Sequence, residues 1–269
     1  MRVYCAPSCL TCAHLSYHVR CPFDEDIPKI WEMPGDLNAF FERIVSNPYY
    51  QETFGPITIV SSPTKTNGPW IVTLDNFLTQ SECSRLIEVG VQEGFRRSED
   101  MGKATFYGSR SSYKTDERTS TNAWCTEICH EDSIIRPVLD RIENLTDIPD
   151  TNHEWLQLLK YEPGQYYREH HDFAENEVDR PQGPRIVTVF LYLSDVEAGG
   201  GTRFGRMNLT IMPKLGRALL WSSVLDEDPM ERDDRTHHEA LAVEAGIKYA
   251  ANAWLHQRDF KTPFERKCA

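Results

Sequence analysis

The sequence predicts an α+β domain in which helices come first and a β-sandwich or barrel follows. Three observations point that way. Apolar residues recur at helical spacing in three stretches before residue 143. The tetrapeptide Thr79-Gln80-Ser81-Glu82 has the form of a capping box. After residue 154 the pattern changes to short runs rich in β-branched and aromatic side chains.

The elements follow in order. Residues 1–66 read as a Cys-containing N-terminal extension with one helical run, Asp36 to Val45, whose Leu37, Phe40, Phe41 and Ile44 share a face. The loop Thr64-Lys65-Thr66-Asn67-Gly68-Pro69 marks the boundary, and residues 67–269 form the main domain. Trp70 to Leu74 reads as a strand. The capping box then opens a helix that turns Cys83, Leu86, Ile87 and Val91 inward, and a second helix carries Ile135, Val138, Leu139 and Ile142. Pro137 fits only its first turn, where no N–H is needed. Strands are expected over Glu154 to Tyr161, Ile186 to Leu193, Arg217 to Trp221 and Lys248 to His256.

Composition narrows the function. The 269 residues are 40% hydrophobic and 11% aromatic, enough for a sizeable core, and contain no apolar run long enough to span a membrane. A net charge of −12 without a basic stripe argues against a nucleic-acid partner. Cys5, Cys9, Cys12 and Cys21 crowd the first 21 residues, with spacings that do not make two CxxC knuckles. At least one disulfide among them is therefore expected, in an oxidising compartment. The first residues lack the apolar core of a secretory signal, so either the protein is cytosolic or an upstream targeting or anchor segment is missing from this chain, and the cysteines favour the second. Asn144-Leu145-Thr146 and Asn208-Leu209-Thr210 are glycosylation sequons, a triplet common by chance.

The chemistry concentrates at His170-His171-Asp172. In extended backbone side chains alternate faces, so His170 and Asp172 project together and His171 points away. Two such ligands and a distant third histidine make the facial triad of non-haem Fe(II) oxygenases, with positions left for a cosubstrate and oxygen. His237, His238 and His256 are the candidates for the third ligand. Lys248 follows His238 by ten residues with no acidic partner nearby in sequence. Buried in a barrel, its cation needs an anion, which a dicarboxylate would provide. His153, His171 and His237 read as structural or surface residues, and the acidic run from Asp226 to Asp234 as a solvated loop.

From Pro69 to Phe260 the chain resembles the catalytic domain of prolyl 4-hydroxylases of the collagen and plant cell-wall type, within the Fe(II)/2-oxoglutarate-dependent dioxygenases. The resemblance rests on Phe77 to Cys83, Glu117 to Ser120, Leu158 to Tyr167, His170 to Phe173, Arg185 to Asp195, Gly199 to Thr202, and His238 through Trp254. It implies a double-stranded β-helix core, jelly-roll or cupin-like, with supporting N-terminal helices. It implies iron on His170, Asp172 and His238, and Lys248 on the distal carboxylate of 2-oxoglutarate, helped by Tyr161 and Thr188. It further implies Trp254 as a wall of that pocket, and Arg118 as a contact for the peptide or its loop. The implied reaction is hydroxylation of peptidyl proline at C4, using Fe(II), O2, 2-oxoglutarate and L-ascorbate, in the lumen of the endoplasmic reticulum or Golgi. The chain departs from the family at Glu239 to Val243, at Gly201 and at Tyr249, positions that bear on substrate choice rather than on iron. A different oxygenase substrate, such as a lysyl residue or a small molecule, and a metal-free barrel used as a binding module are the alternatives.

Overall fold

The computed structural model describes residues 26–101 and 111–268, together with Val19 and Cys21. Two short helices come first, α1 (Asp36–Ser46) and α2 (Pro48–Phe54), followed by β1 (Ile57–Ser61), the single turn α3 (Pro63–Thr66) and β2 (Ile71–Leu74). Helix α4 (Gln80–Glu93) begins at Thr79. That side chain accepts from the Glu82 N–H while Glu82 returns a bond to the Thr79 N–H, so the capping box is complete. Strands β3 (Arg96–Arg97), β4 (Asp100–Met101), β5 (Ser112–Tyr113) and β6 (Thr121–Cys125) lead to α5 (Glu127–Glu131) and α6 (Arg136–Thr146), with a proline in the first turn of α6. The remaining strands are β7 (Leu156–Tyr161), β8 (Tyr167–His170), β9 (Arg185–Tyr192), β10 (Ala198–Gly199), β11 (Thr202–Phe204), β12 (Leu209–Ile211), β13 (Ala218–Ser222), β14 (His238–Ala240), β15 (Val243–Ala245) and β16 (Lys248–His256). Helix α7 (Lys261–Glu265) closes the chain. No helix among the described residues is long and apolar enough to cross a membrane.

The strands form an eight-stranded sheet in the order β1-β2-β13-β9-β16-β7-β6-β3 and a four-stranded sheet in the order β12-β11-β14-β8. Alternation along the large sheet makes two cores. Val187, Val189 and Leu191 of β9 and Ala251, Ala253 and Leu255 of β16 face the helices. Phe190 and Tyr192, Ala250, and Leu219 and Trp221 face the small sheet, where they meet Phe204, Ile211 and Ala240. This is the jelly-roll layout that the resemblance implies. The functional side chains lie in the second core, between the sheets.

Two sequence expectations need correction. Residue 66 separates nothing: β1 pairs with β2, and Leu37, Phe40, Phe41 and Ile44 are buried in the same core as α4 and α6. The Phe41 ring stacks on Trp70 at 5.4 Å, and Trp31 exchanges hydrogen bonds with Gln257 at the far end of the chain. Residues before 66 bury an apolar face that the rest of the domain would otherwise expose to water. Val91 is 62% exposed, because eight residues on from Cys83 it stands about 80° round α4. Two disulfides join described cysteines. Cys21 bonds Cys268 and Cys125 bonds Cys129, while Cys83 is a buried free thiol. Cys5, Cys9 and Cys12 lie outside the described residues.

Candidate active site

His170 is the last residue of β8 and pairs across the small sheet with His238, the first residue of β14. Asp172 lies two residues beyond the end of β8, and one ligand atom from each of the three falls within 4.8 Å of the others. His238 Nε2 is 3.8 Å from Asp172 Oδ2, and the two imidazole centroids are 4.3 Å apart. Each ring is oriented through its other nitrogen: His170 Nδ1 donates to the Arg168 carbonyl at 2.8 Å and His238 Nδ1 to the Thr236 carbonyl at 3.0 Å. That fixes the tautomer and turns both Nε2 atoms toward the shared space. Tyr167 stacks on His170 at 3.6 Å, and Trp221 meets His238 edge-on at 4.7 Å.

Electrostatics suits a metal. Burial and the neighbouring His238 hold His170 well below the usual imidazole range, so it is neutral. Burial works to raise the Asp172 carboxyl, yet His238, His170, Arg185 and the Thr188 hydrogen bond carry it below the usual carboxylate range. Two imidazoles and one carboxylate are the donor set of a non-haem Fe(II) site, so the residues present fit the group. His171 and His237 take no part. His171 donates through Nε2 to the Asp233 carbonyl, and His237 donates to the Asp234 carbonyl. His256, the remaining candidate, is fully buried against Glu154 and Gly183.

Beside the triad lies a small open-mouthed cavity of about 30 Å³ whose lining includes Arg118, Leu159, Tyr161, Phe190, Thr202 and Asn252. Behind it sits Lys248, fully buried, with Nζ 5.2–5.6 Å from the rings of Tyr161, Phe190 and Tyr192. No acceptor among the described residues bonds that ammonium. Burial without a partner lowers it to about 7. An orphaned cation in an aromatic box beside a metal triad is what a ligand carboxylate would complete.

The other expected residues divide. Tyr161, expected to help on the carboxylate, pairs with Lys248 across β7 and β16 and lines the cavity. Arg118 is buried in the wall, its guanidinium 4.6 Å from the Tyr167 ring and donating to Gln157 Oε1 at 2.8 Å. Thr188, expected on the carboxylate of 2-oxoglutarate, donates to Asp172 Oδ2 at 2.6 Å and so steadies the carboxylate of the triad. Trp254, expected in the pocket wall, is displaced along the strand. The lining of the cavity ends at Asn252, and Trp254 lies one alternation further along β16 under the Arg185 guanidinium, 3.9 Å away.

Several residues were missed. Thr202 accepts the Tyr192 hydroxyl at 2.7 Å and lines the cavity, although the run Gly199 to Thr202 was already visible in the sequence. Asn252 could have been found by stepping from Lys248 in twos. Arg185 stands between Glu154 and the triad. Burial works to raise Glu154, but Arg185 and His256 hold it at about 2, leaving a buried ion pair 2.5 Å long. Only the folded arrangement reveals that pair.

Known proteins give the same picture. Residues 156–256 match the 2OG-Fe(II) oxygenase superfamily. The "Probable prolyl 4-hydroxylase 10" of Arabidopsis thaliana is 34% identical over 206 residues, covering 69% of this chain and 68% of that protein. The prolyl 4-hydroxylase subunit alpha-1 of Rattus norvegicus is 36% identical over 155 residues, which span 54% of this chain and 28% of the subunit. Among solved structures, the 2OG complex of a viral collagen prolyl hydroxylase from Paramecium Bursaria Chlorella virus-1 superposes with a TM-score of 0.55 at 26% identity. It covers 71% of this chain and 98% of that one. With the triad, the buried lysine and the jelly-roll sheets in place, the chain belongs to the prolyl 4-hydroxylase family of 2-oxoglutarate- and Fe(II)-dependent oxygenases.

Proposed function

We propose that this chain hydroxylates C4 of prolyl residues in a peptide or protein, coupled to decarboxylation of 2-oxoglutarate to succinate. The observation that carries this reading is the buried, acceptor-free Lys248 beside the His170–Asp172–His238 triad. When bound, Fe(II) and 2-oxoglutarate supply the oxidising chemistry, with L-ascorbate restoring the iron after turnovers that hydroxylate nothing. The protein's residues bind and orient. His170, Asp172 and His238 hold the iron, and Thr188 keeps Asp172 in one rotamer. Lys248 and the Tyr161 hydroxyl receive the distal carboxylate, with Thr202 and Tyr192 at the same end of the cavity. Leu159, Phe190 and Trp221 make the walls apolar, which strengthens each charge-assisted bond and keeps water out. Arg118 stands at the wall where a peptide would enter.

Prolyl chemistry rests on the family, since the relatives named above are prolyl hydroxylases. Mass spectrometry of proline-rich peptides incubated with protein, Fe(II), 2-oxoglutarate and ascorbate tests it. One added oxygen on a prolyl residue, with equivalent succinate, is expected. Succinate release with no oxygen gained by any proline peptide would leave the oxygenase and remove the substrate.

We further infer a luminal, oxidising compartment, which the Cys21–Cys268 and Cys125–Cys129 bonds support. Thiol titration of the unreduced, denatured protein should find fewer than the eight cysteines of the chain. Eight free thiols would place it in a reducing compartment.

A further inference from the structure

An irregularity in β9 decides where Arg185 points. Arg185 pairs with His256 of β16 and Val187 with Leu255, so Ile186 is an extra residue with no partner on β16. Ile186 and Val187, adjacent in sequence, are both buried in the core that faces the helices, as the two residues of a β-bulge are. The bulge cancels one alternation. Arg185 therefore emerges on the same face as Thr188, three residues on, rather than on the opposite one. Its guanidinium accordingly lies over the Trp254 ring at 3.9 Å, and Trp254 is the cross-strand neighbour of Thr188. Thr188 in turn donates to Asp172, so one face of the sheet carries Arg185, Trp254 and Thr188 up to the carboxylate of the triad.

The guanidinium is braced. Arg185 Nε donates to Glu154 Oε1 at 2.5 Å. His256 holds the same oxygen through Nε2 at 2.9 Å, while its Nδ1 meets the Gly183 carbonyl at 2.9 Å. The Glu154 N–H donates to the Trp254 carbonyl at 2.9 Å, which ties the brace to the strand that carries the ring. Burial works against the Arg185 cation, yet Glu154, Glu177 and Asp172 hold it above the usual guanidinium range. Its charge and that of Asp172 therefore feel each other. Three residues of strand separate Arg185 from Thr188, about 10 Å. At about 10 Å and an effective permittivity of about 20, a unit charge changes a one-electron equilibrium by about tenfold. A cation at that range disfavours the more highly charged ion.

We propose that Arg185 is a positioning residue of the iron site: braced by Glu154 and lying over Trp254, it keeps a fixed positive charge within reach of Asp172 that favours Fe(II) over Fe(III) in the triad. This rests on the reading that His170, Asp172 and His238 hold iron, and it is independent of the substrate. Glu154 is the brace and Trp254 the platform. The couple concerned is Fe(III) plus one electron giving Fe(II), with the same three ligands on both sides.

Redox titration of the iron-loaded protein against mediators under argon, followed by the EPR signal of Fe(III), reads the potential. Arg185→Gln removes the charge and should shift the equilibrium about tenfold toward Fe(III), a potential about 59 mV lower for one electron. Arg185→Lys keeps the charge and should stay within about threefold of wild type. Glu154→Gln removes the opposing charge while leaving an acceptor for Arg185 Nε, and should raise the potential by a smaller amount. Opposite signs from two members of one pair are what a merely loosened structure would not give. Thermal denaturation verifies that each variant is folded, and if Arg185→Gln is not, Arg185→Lys and Glu154→Gln carry the test. A folded Arg185→Gln protein whose equilibrium stays within about twofold of wild type overturns the proposal. So does a Glu154→Gln potential at or below the wild-type value. A wild-type protein that retains no iron would instead overturn the triad reading, and the role of Arg185 with it.

Discussion

Lys248 and Tyr161 stand opposite each other on neighbouring antiparallel strands, the ammonium 5.2 Å from the phenol ring and without an acceptor. A strand register, rather than a flexible loop, therefore sets the spacing of these two side chains. Lys248→Ala should raise KM for 2-oxoglutarate more than it lowers kcat, since the contact exists in the ground state as well as in the transition state. Loss of one partner from a buried charged pair costs about 2–5 kcal/mol, which is tens to thousands of fold in affinity. Iron binding should persist. Lys248→Arg should rescue only in part, because the planar guanidinium is larger and forks its donors differently. Steady-state kinetics with 2-oxoglutarate varied decides this, and a KM within twofold of wild type would remove Lys248 as the anchor.

The same lysine gives a pH dependence. Burial brings it to about 7 when no ligand is bound, whereas an unfolded lysine titrates near ~10.4. Between those values the unfolded chain holds a proton that the native one lacks, so ligand-free stability should rise with pH across that window. Binding of the dianion favours the charged form. Above about pH 7 binding should take up close to one proton, and affinity should fall by up to about tenfold per pH unit. Calorimetry of the Zn(II)-loaded protein in buffers of different protonation enthalpy measures the uptake. No proton taken up at about pH 8 would contradict the assignment.

Thr188→Val removes a 2.6 Å hydrogen bond from Asp172 while keeping the shape of the side chain. Partners of a metal ligand typically affect metal affinity or activity by about 10–100-fold. The expected outcome is weaker Fe(II) or Mn(II) retention with KM for 2-oxoglutarate little changed. A shift confined to that KM would return Thr188 to the carboxylate.

The residues before 66 should be indispensable. Phe41 is fully buried and stacked on Trp70, so Phe41→Ala should cost about 3–5 kcal/mol in chemical denaturation. A chain starting at residue 67 should fail to fold, and a cooperative transition of native midpoint from that fragment would restore the boundary.

Much of the site was legible because strand alternation is a strict rule. His170 and Asp172 project together, Lys248 follows at the start of a strand, and the capping box at Thr79 and the face of α1 were readable from spacing alone. What stayed hidden depends on contacts between distant segments. Thr188 and Lys248 lie on adjacent strands, β9 and β16, but no pattern along the chain says that the threonine hydroxyl turns to Asp172. The Glu154–Arg185 pair joins residues 31 positions apart in sequence. The partner of Cys21 is 247 residues away. The extension looked separate because a polar loop follows it, and its apolar face has no visible destination until Trp70 and Gln257 arrive beside it.

On the reading proposed above, His170, Asp172 and His238 alone hold the metal. Titration of the metal-free protein with Fe(II) under anaerobic conditions, with 2-oxoglutarate present, tests it most directly. Wild type should bind one equivalent and develop the charge-transfer absorption of a chelated 2-oxo acid. His170→Ala, Asp172→Ala and His238→Ala should each lose it while remaining folded. His171→Ala and His237→Ala should bind with near-native stoichiometry, because their rings are directed to the carbonyls of Asp233 and Asp234. If folded His171→Ala or His237→Ala lost the metal as completely as His238→Ala, the triad would be wrongly assigned.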